Sequence, residues 1–449
     1  MKTLALVLVS LVAADAARAA VIEQQTVRQR WPFSRVIDVD YVLSADPEEV
    51  FDVRPTFYDG DTQLDVGAAA LSGQFACVSD GSHRMTVDLS KSALQGIPSL
   101  SSFRVVLTPV ESPLYMIVDI RRANDAAGPR VTYLTRTDLL SGRHGACETD
   151  LSKLGIANCS LKNPIVWTGC TNDLRFVSTH MLFRRILPGS FVAAGTAADA
   201  PNVSVSSPYW MAVFEFTVGH RAALSGTSLP QPLALEHRRP VFNISTTDVR
   251  GSIEEGVNWP ETGTADVGRS RLLGLLRDTT GVLFDIPTEA QWELAYRAGT
   301  TTEFYTGTDD GSAANAIGRN NSNGGFWDNG DGNGKQWHPS STEPGWPSEG
   351  YAPAGYYAPN AYGLYDMSGN VEEVCLDWIA AATSPSHLGT DPVGPKMSAS
   401  TDPKRVARGG SAWHTPAATG VGQRQGAGHD ERSSRFGFRF IVLDGLNQN

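Results

Sequence analysis

The chain has 449 residues, 41% hydrophobic and 19% charged, a composition that builds globular domains and excludes a disordered or fibrous polymer. A net charge of −11, with basic clusters no stronger than pairs such as Arg121-Arg122 and Arg184-Arg185, argues against a nucleic-acid or anionic-membrane partner. Both pairs read as solvated surface arginines, and 44 glycines with 26 prolines give a loop-rich fold of short elements.

Residues 1–19 read as an export signal. Lys2 supplies the positive region, Leu4 to Ala14 the apolar core, and Ala17-Arg18-Ala19 a small-x-small cleavage site. That core is too short to span a bilayer, and no other window reaches membrane-spanning length. The expected product is exported: periplasmic, cell-surface or secreted. Export makes the five cysteines disulfide candidates. Two bridges drawn from Cys77, Cys147, Cys159 and Cys170 are expected, with Cys375 left over and the pairing open.

Residues 20–110 alternate in the manner of strands. The stretches 35–43, 49–54, 83–89 and 103–107 are short, β-branched and bounded by turn residues, with hairpin signals at Asp59-Gly60 and Asp80-Gly81. They predict a small antiparallel β-sandwich. Residues 111–177 hold the cysteine cluster and read as a disulfide-braced connector whose clearest strand is Tyr115–Ile120. Met181–Phe191 predicts strand, Pro-Gly turn and strand. Tyr209–Thr217 predicts a buried strand in which Glu215 needs a partner. Leucines at 272, 273, 275 and 276 predict a helix over 265–279. A second helix opens at Thr288, whose capping box closes on Gln291, and stops at Gly299. The Asp/Asn/Gly run 328–334 lacks the closing glutamate of a calcium loop. Arg435–Val442 alternates well enough to be a last central strand.

The most information-rich stretch is Pro359–Trp378. Gly363 and Gly369 interrupt it, and Asn360, Asp366, Asn370, Glu372, Glu373 and Asp377 interleave with large apolar residues. That mixture predicts an irregular buried turn held by side-chain oxygens, with a hard cation such as calcium as one means of holding it.

Five segments, Tyr209–Thr217, Ile286–Arg297, Pro359–Trp378, Arg405–Ser411 and Gly437–Arg439, together resemble the formylglycine-generating enzymes, or sulfatase-modifying factors. The resemblance covers residues 178–443 and implies an α+β chain whose segment 178–449 has a C-type-lectin-like fold with little regular secondary structure. It says nothing of residues 20–175.

Members that generate formylglycine oxidise a sulfatase cysteine with molecular oxygen and a copper ion on two cysteines, soft ligands suited to monovalent copper. The resemblance places those cysteines after Gly-Gly-Ser, where this sequence has His414 and Thr419, and no cysteine follows Cys375. Copper is therefore not expected, and no catalytic residue is assigned. The nine histidines are scattered and none forms an i, i+4 pair, so the iron chemistry of another branch of the superfamily lacks its motif. The resemblance also implies a structural calcium on Asp366, Gly369, Val371 and Glu373, although Glu372 and Val374 replace usual tryptophans. The segment 412–434 is expected to line a ligand cleft with Trp413, His414, Thr419, Gln423, Arg424 and His429. The function implied is a non-catalytic binding or structural module for a protein or glycan; the alternative is a metal-dependent oxidase with changed ligands centred on His414.

Overall fold

The computed structural model describes residues 20–30, 34–47, 49–97, 99–122, 129–195, 202–252, 267–327, 336–337, 350–381, 384–395 and 403–443. The expected export signal, residues 1–19, and the loop 328–334 lie outside the described residues. Contacts divide the chain at Ser112/Pro113.

The N-terminal unit is the expected sandwich. Strands β1 (Val21–Gln29), β2 (Val36–Ser44), β3 (Phe51–Asp59), β4 (Thr62–Leu64), β5 (Leu71–Gly73), β6 (Gly81–Asp88) and β7 (Phe103–Glu111) form two antiparallel sheets. Their orders are β1-β2-β6-β5 and β4-β3-β7. Alternate residues of β2 and β6 (Val39, Leu43, Met85, Val87) meet Val53, Phe57 and Val105 in one core. Asp59-Gly60 makes the tight β3–β4 turn, with Gly60 at φ 60°. Asp80-Gly81 instead ends the longer 74–80 connection, because β6 pairs with β5 only from Met85 onward.

The second unit is organised on a six-stranded sheet. Its strands are β8 (Tyr115–Asp119), β9 (Val131–Leu134), β10 (His180–Ile186), β13 (Tyr209–Ala212), β14 (Phe284–Asp285) and β22 (Ile441–Leu443), in the order β14-β22-β13-β10-β8-β9. Between these lie β11 (Gly189–Phe191) and β12 (Val203–Val205), and further on β15 (Phe326–Trp327), β16 (Gln336–Trp337) and β18 (Gly389–Thr390). A four-stranded sheet, β20-β19-β17-β21, combines β17 (Glu372–Trp378), β19 (Lys404–Arg408), β20 (Arg424–Gly428) and β21 (Phe436–Gly437). The helices used below are α1 (Arg136–Leu140), α2 (Val218–Ser225), α3 (Thr246–Val249), α4 (Leu272–Thr280) and α5 (Glu289–Arg297).

Both faces of the six-stranded sheet are covered. Leu182, Tyr209 and Met211 enter one core with Trp292, while Met181, Phe183, Trp210 and Ala212 enter a second core. Strands covered on both faces read as continuous apolar runs, which is why Tyr209–Thr217 carries no polar alternation. It also corrects the reading of Arg184-Arg185 as solvated. Arg185 is 2% exposed with its guanidinium 5.3 Å from the Trp210 ring, and Arg184 stands 5.0 Å from Tyr115.

Residues 113–177 are more than a connector, since β8 and β9 extend the six-stranded sheet and Tyr115, Trp167 and Phe176 enter its core. Disulfides do not brace them: all five cysteines are free thiols. Cys147, Cys159 and Cys375 each point their sulfur at a backbone carbonyl instead. Helix α4 starts at Leu272, and only Leu273 and Leu276 of its leucines are buried. Helix α5 has the expected Thr288–Gln291 capping box, but its C-cap is Ala298, left-handed at φ 43°, just before Gly299. Met181–Phe191 splits between two sheets as β10 and β11, and Arg435–Val442 likewise splits into β21 and β22. No helix among the described residues is long and apolar enough to cross a membrane.

Candidate functional site

The stretch Pro359–Trp378 is folded by its own amides and carboxylates. Asn360 accepts from the N–H groups of Tyr362 and Leu364 and donates to the carbonyls of Ala295 and Tyr296 near the end of α5. Asp366 and Asn370 take left-handed conformations, φ 58° and 61°, which short polar side chains tolerate. The partner that buried Glu215 requires is this turn. Its Oε2 accepts from Asn370 Nδ2 at 2.6 Å and its Oε1 from Val371 N–H at 3.2 Å.

The two carboxylates among the expected calcium ligands have different partners. Glu373 is forked by the fully buried Arg439 at 2.7–3.0 Å and accepts from Trp292 Nε1 at 2.7 Å. Arg439 also donates to the carbonyls of Ala212, Val213 and Tyr365. Asp366 accepts from Gly355 N–H on Oδ2 at 2.6 Å, and its Oδ1 has no hydrogen-bond partner. Burial pushes its carboxyl up to about 7. With one carboxylate already neutralised by a guanidinium, these residues as placed do not fit a calcium ion.

At the position the resemblance gives to the first copper cysteine, His414 is held from both sides. Its Nδ1 accepts from Ser411 N–H at 3.1 Å and lies 3.0 Å from Ser411 Oγ. That fixes the ring proton on Nε2, which faces Glu372 Oε1 at 3.3 Å. Glu372 is 0% exposed, and neither of its oxygens has an aligned hydrogen-bond partner, so the contact with His414 is one of proximity alone. Burial pushes the Glu372 carboxyl up to about 7 and the His414 imidazole down to about 4. At the second position, Thr419 is buried and turned inward: its hydroxyl donates to Pro416 O and receives Ser368 Oγ at 3.1 Å. One imidazole and an inward hydroxyl do not fit monovalent copper.

Beside His414 stands an aromatic pile that the sequence reading anticipated only in Trp413. Trp413 stacks on Phe326 (centroids 4.3 Å apart, planes at 9°), Phe326 meets Tyr351 at 5.0 Å, and Phe242 stacks on Tyr351 at 4.5 Å. The other expected cleft residues lie elsewhere. Gln423 follows the turn that leads into β20, its N–H on Gly420 O. Arg424 forks the buried Glu289 at 2.6 and 2.8 Å. His429 bonds Gly251 O and stands 5.6 Å from the Trp378 ring. The segment 412–434 therefore does not line one cleft.

Sequence reading also missed a buried charge network at the start of α5. Glu289, Asp377 and His387 are the only group of three His, Cys or acidic residues among those described whose ligand atoms lie within 4.8 Å of one another. Burial alone would raise the Glu289 carboxyl, but Arg408 and Arg424 hold it down to about 2. Two guanidiniums on one carboxylate make this an internal ion-pair network rather than a cation site.

The family model for the sulfatase-modifying factor enzyme 1-like domain matches residues 185–443. Two relatives are formylglycine-generating enzymes: that of Thermomonospora curvata, 37% identical over 129 residues, and that of Streptomyces coelicolor, 35% identical over 126. Each match takes in 28% of this chain and only 37% and 35% of the respective relative. Among solved structures the chain is similar to Treponema denticola variable protein 1, with 23% identity and a TM-score of 0.42 over 60% of this chain and 96% of that one. It is also similar to PvdO from Pseudomonas aeruginosa, with 20% identity and a TM-score of 0.41 over 59% and 94%. With its family model matched over more than half its length, the chain belongs to the sulfatase-modifying factor, or formylglycine-generating enzyme, family.

Proposed function

We propose that this protein is an exported, non-catalytic member of the family that binds a glycan or protein through the aromatic face beside His414. The observation that carries the reading is the state of the two positions the resemblance gives to copper. His414 is tied to Ser411 and faces Glu372 without an aligned hydrogen bond, and Thr419 is buried on Ser368. Over the buried Phe326 and Tyr351, the 38% exposed Phe242 and the half-buried Trp413 offer an aromatic edge that suits a sugar ring or an aromatic side chain. Saturation-transfer NMR against a panel of oligosaccharides and peptides tests it. Binding is expected, and Trp413→Ala should abolish it without loss of folding. No transfer to any ligand, or transfer that survives the substitution, contradicts the reading.

A second reading, a metal-dependent oxidase with changed ligands, is favoured by the two unsatisfied oxygens of Glu372, one of them 3.3 Å from His414 Nε2. Against it, the Ser411 N–H on Nδ1 leaves the ring proton on the nitrogen that would have to bind the metal. Stoichiometric iron or copper in the purified protein, lost in His414→Ala, would establish this alternative.

A further inference from the structure

The geometry points to a second recognition site, independent of the aromatic face: a cleft over residues 117–180 that takes a small organic oxyanion. The cleft precedes the family-matched segment and opens at the β8–β9 edge of the six-stranded sheet. Its volume of 420 Å³ falls in the range of small-molecule sites.

Part of the lining is apolar. Ile117 and Leu134 come from β8 and β9, and Trp167 packs edge-on against Phe176 at 5.4 Å. The indole Nε1 donates to His144 O at 2.7 Å, which fixes the loop that carries Arg143 at the cleft.

The charged part does not balance. Arg130, Arg143 and Arg175 line the cleft against only two carboxylates, Asp119 and Asp173. Both carboxylates are already engaged. Asp173 is forked by Arg175 at 2.7–3.1 Å, and Asp119 by Arg121, behind the lining, at 2.6 and 3.0 Å. Arg130 donates only to the backbone carbonyls of Asp119 and Arg121, and the exposed Arg143 forms no ion pair among the described residues. Among the described residues two guanidiniums are thus left without a counter-ion, on a chain whose net charge is −11. His180, which also lines the cleft, is driven towards its neutral form by burial and supplies no counter-charge. A planar guanidinium fork matches a carboxylate, sulfate or phosphate in two hydrogen bonds. The apolar lining suits the carbon skeleton that carries it.

Isothermal titration of the full chain with benzoate, phenyl sulfate and phenyl phosphate tests the assignment, with benzyl alcohol as the uncharged probe. At least one anion should bind saturably at one site, more weakly as NaCl is added, while benzyl alcohol does not bind. Arg143→Gln should weaken that binding about tenfold with an unchanged melting temperature, as expected for loss of one charge-assisted fork at an exposed residue. Arg130→Gln should act in the same direction. Trp413→Ala should leave it intact, so that this site and the aromatic face fail or succeed separately. No saturable binding of any anion, equal binding of benzyl alcohol, or affinity that survives both arginine substitutions would overturn the proposal.

Discussion

Arg439 and Glu373 form a fully buried ion pair, Nη2 to Oε1 at 2.7 Å, that joins the crossing between β21 and β22 to strand β17. With three further carbonyls on the same guanidinium, this one side chain ties together the end of β13, the polar turn and the approach to the last strand.

Removing one partner leaves the other charge buried and unpaired, which costs about 3–5 kcal/mol. Arg439→Met should therefore lower the urea midpoint sharply, and the double substitution with Glu373→Gln should recover part of the loss. A single variant within about 1 kcal/mol of wild type would show that the pair is not the anchor of the turn.

Because the positive charge at Glu373 comes from Arg439, chelation is expected to leave the melting temperature unchanged. A fall of several degrees on chelation, together with bound calcium by elemental analysis, would restore the cation to the turn despite its geometry.

Much of the scaffold was legible because its signals are local. The Thr288–Gln291 capping box lies within one helical turn, and the strands of the sandwich announce themselves by alternation. Glu215 was legible as a need, since a carboxylate in an apolar run must find a partner, but not as a contact with Asn370, which is 155 residues away. The same distance problem hid Glu372. From sequence it is a departure from a usual tryptophan, and its meaning depends on His414, brought near by the pairing of β17 with β19. Residues 413–429 were grouped by sequence proximity, yet the chain there leaves the His414 loop and runs along β20, which carries Arg424 to Glu289 and His429 to Trp378. Arg184-Arg185 was misread because a strand covered on both faces has no solvated side.

Helix α2 supplies a pH test. His220 is fully buried, its Nδ1 accepts from Thr217 N–H to close the capping box, and its Nε2 faces the carbonyls of Phe176 and His180. Burial drives its imidazole down to about 4 from 6.5. The unfolded chain therefore takes up this proton first, and stability tied to neutral His220 is present above pH 6.5 and lost as pH falls towards 4, a span of roughly 3 kcal/mol. The stability difference between wild type and His220→Gln should shrink steadily over that window; a difference independent of pH would contradict the assignment.

His414 makes a parallel prediction. Burial, with Arg435 nearby, holds the imidazole down to about 4, so it should be neutral throughout the physiological range. Side-chain NMR, assigned with His414→Asn, should show the proton on Nε2 at neutral pH and a titration midpoint near 4. A midpoint at or above 6.5, the ordinary histidine value, would mean that Glu372 holds the ring charged.

The proposed function requires that the family scaffold be kept without copper chemistry at His414 and Thr419. Mass spectrometry of a cysteine-type sulfatase peptide incubated with the full chain, copper and oxygen tests this. The peptide cysteine is predicted to remain unconverted. Its conversion to formylglycine, lost when His414 is changed to alanine, would contradict the account.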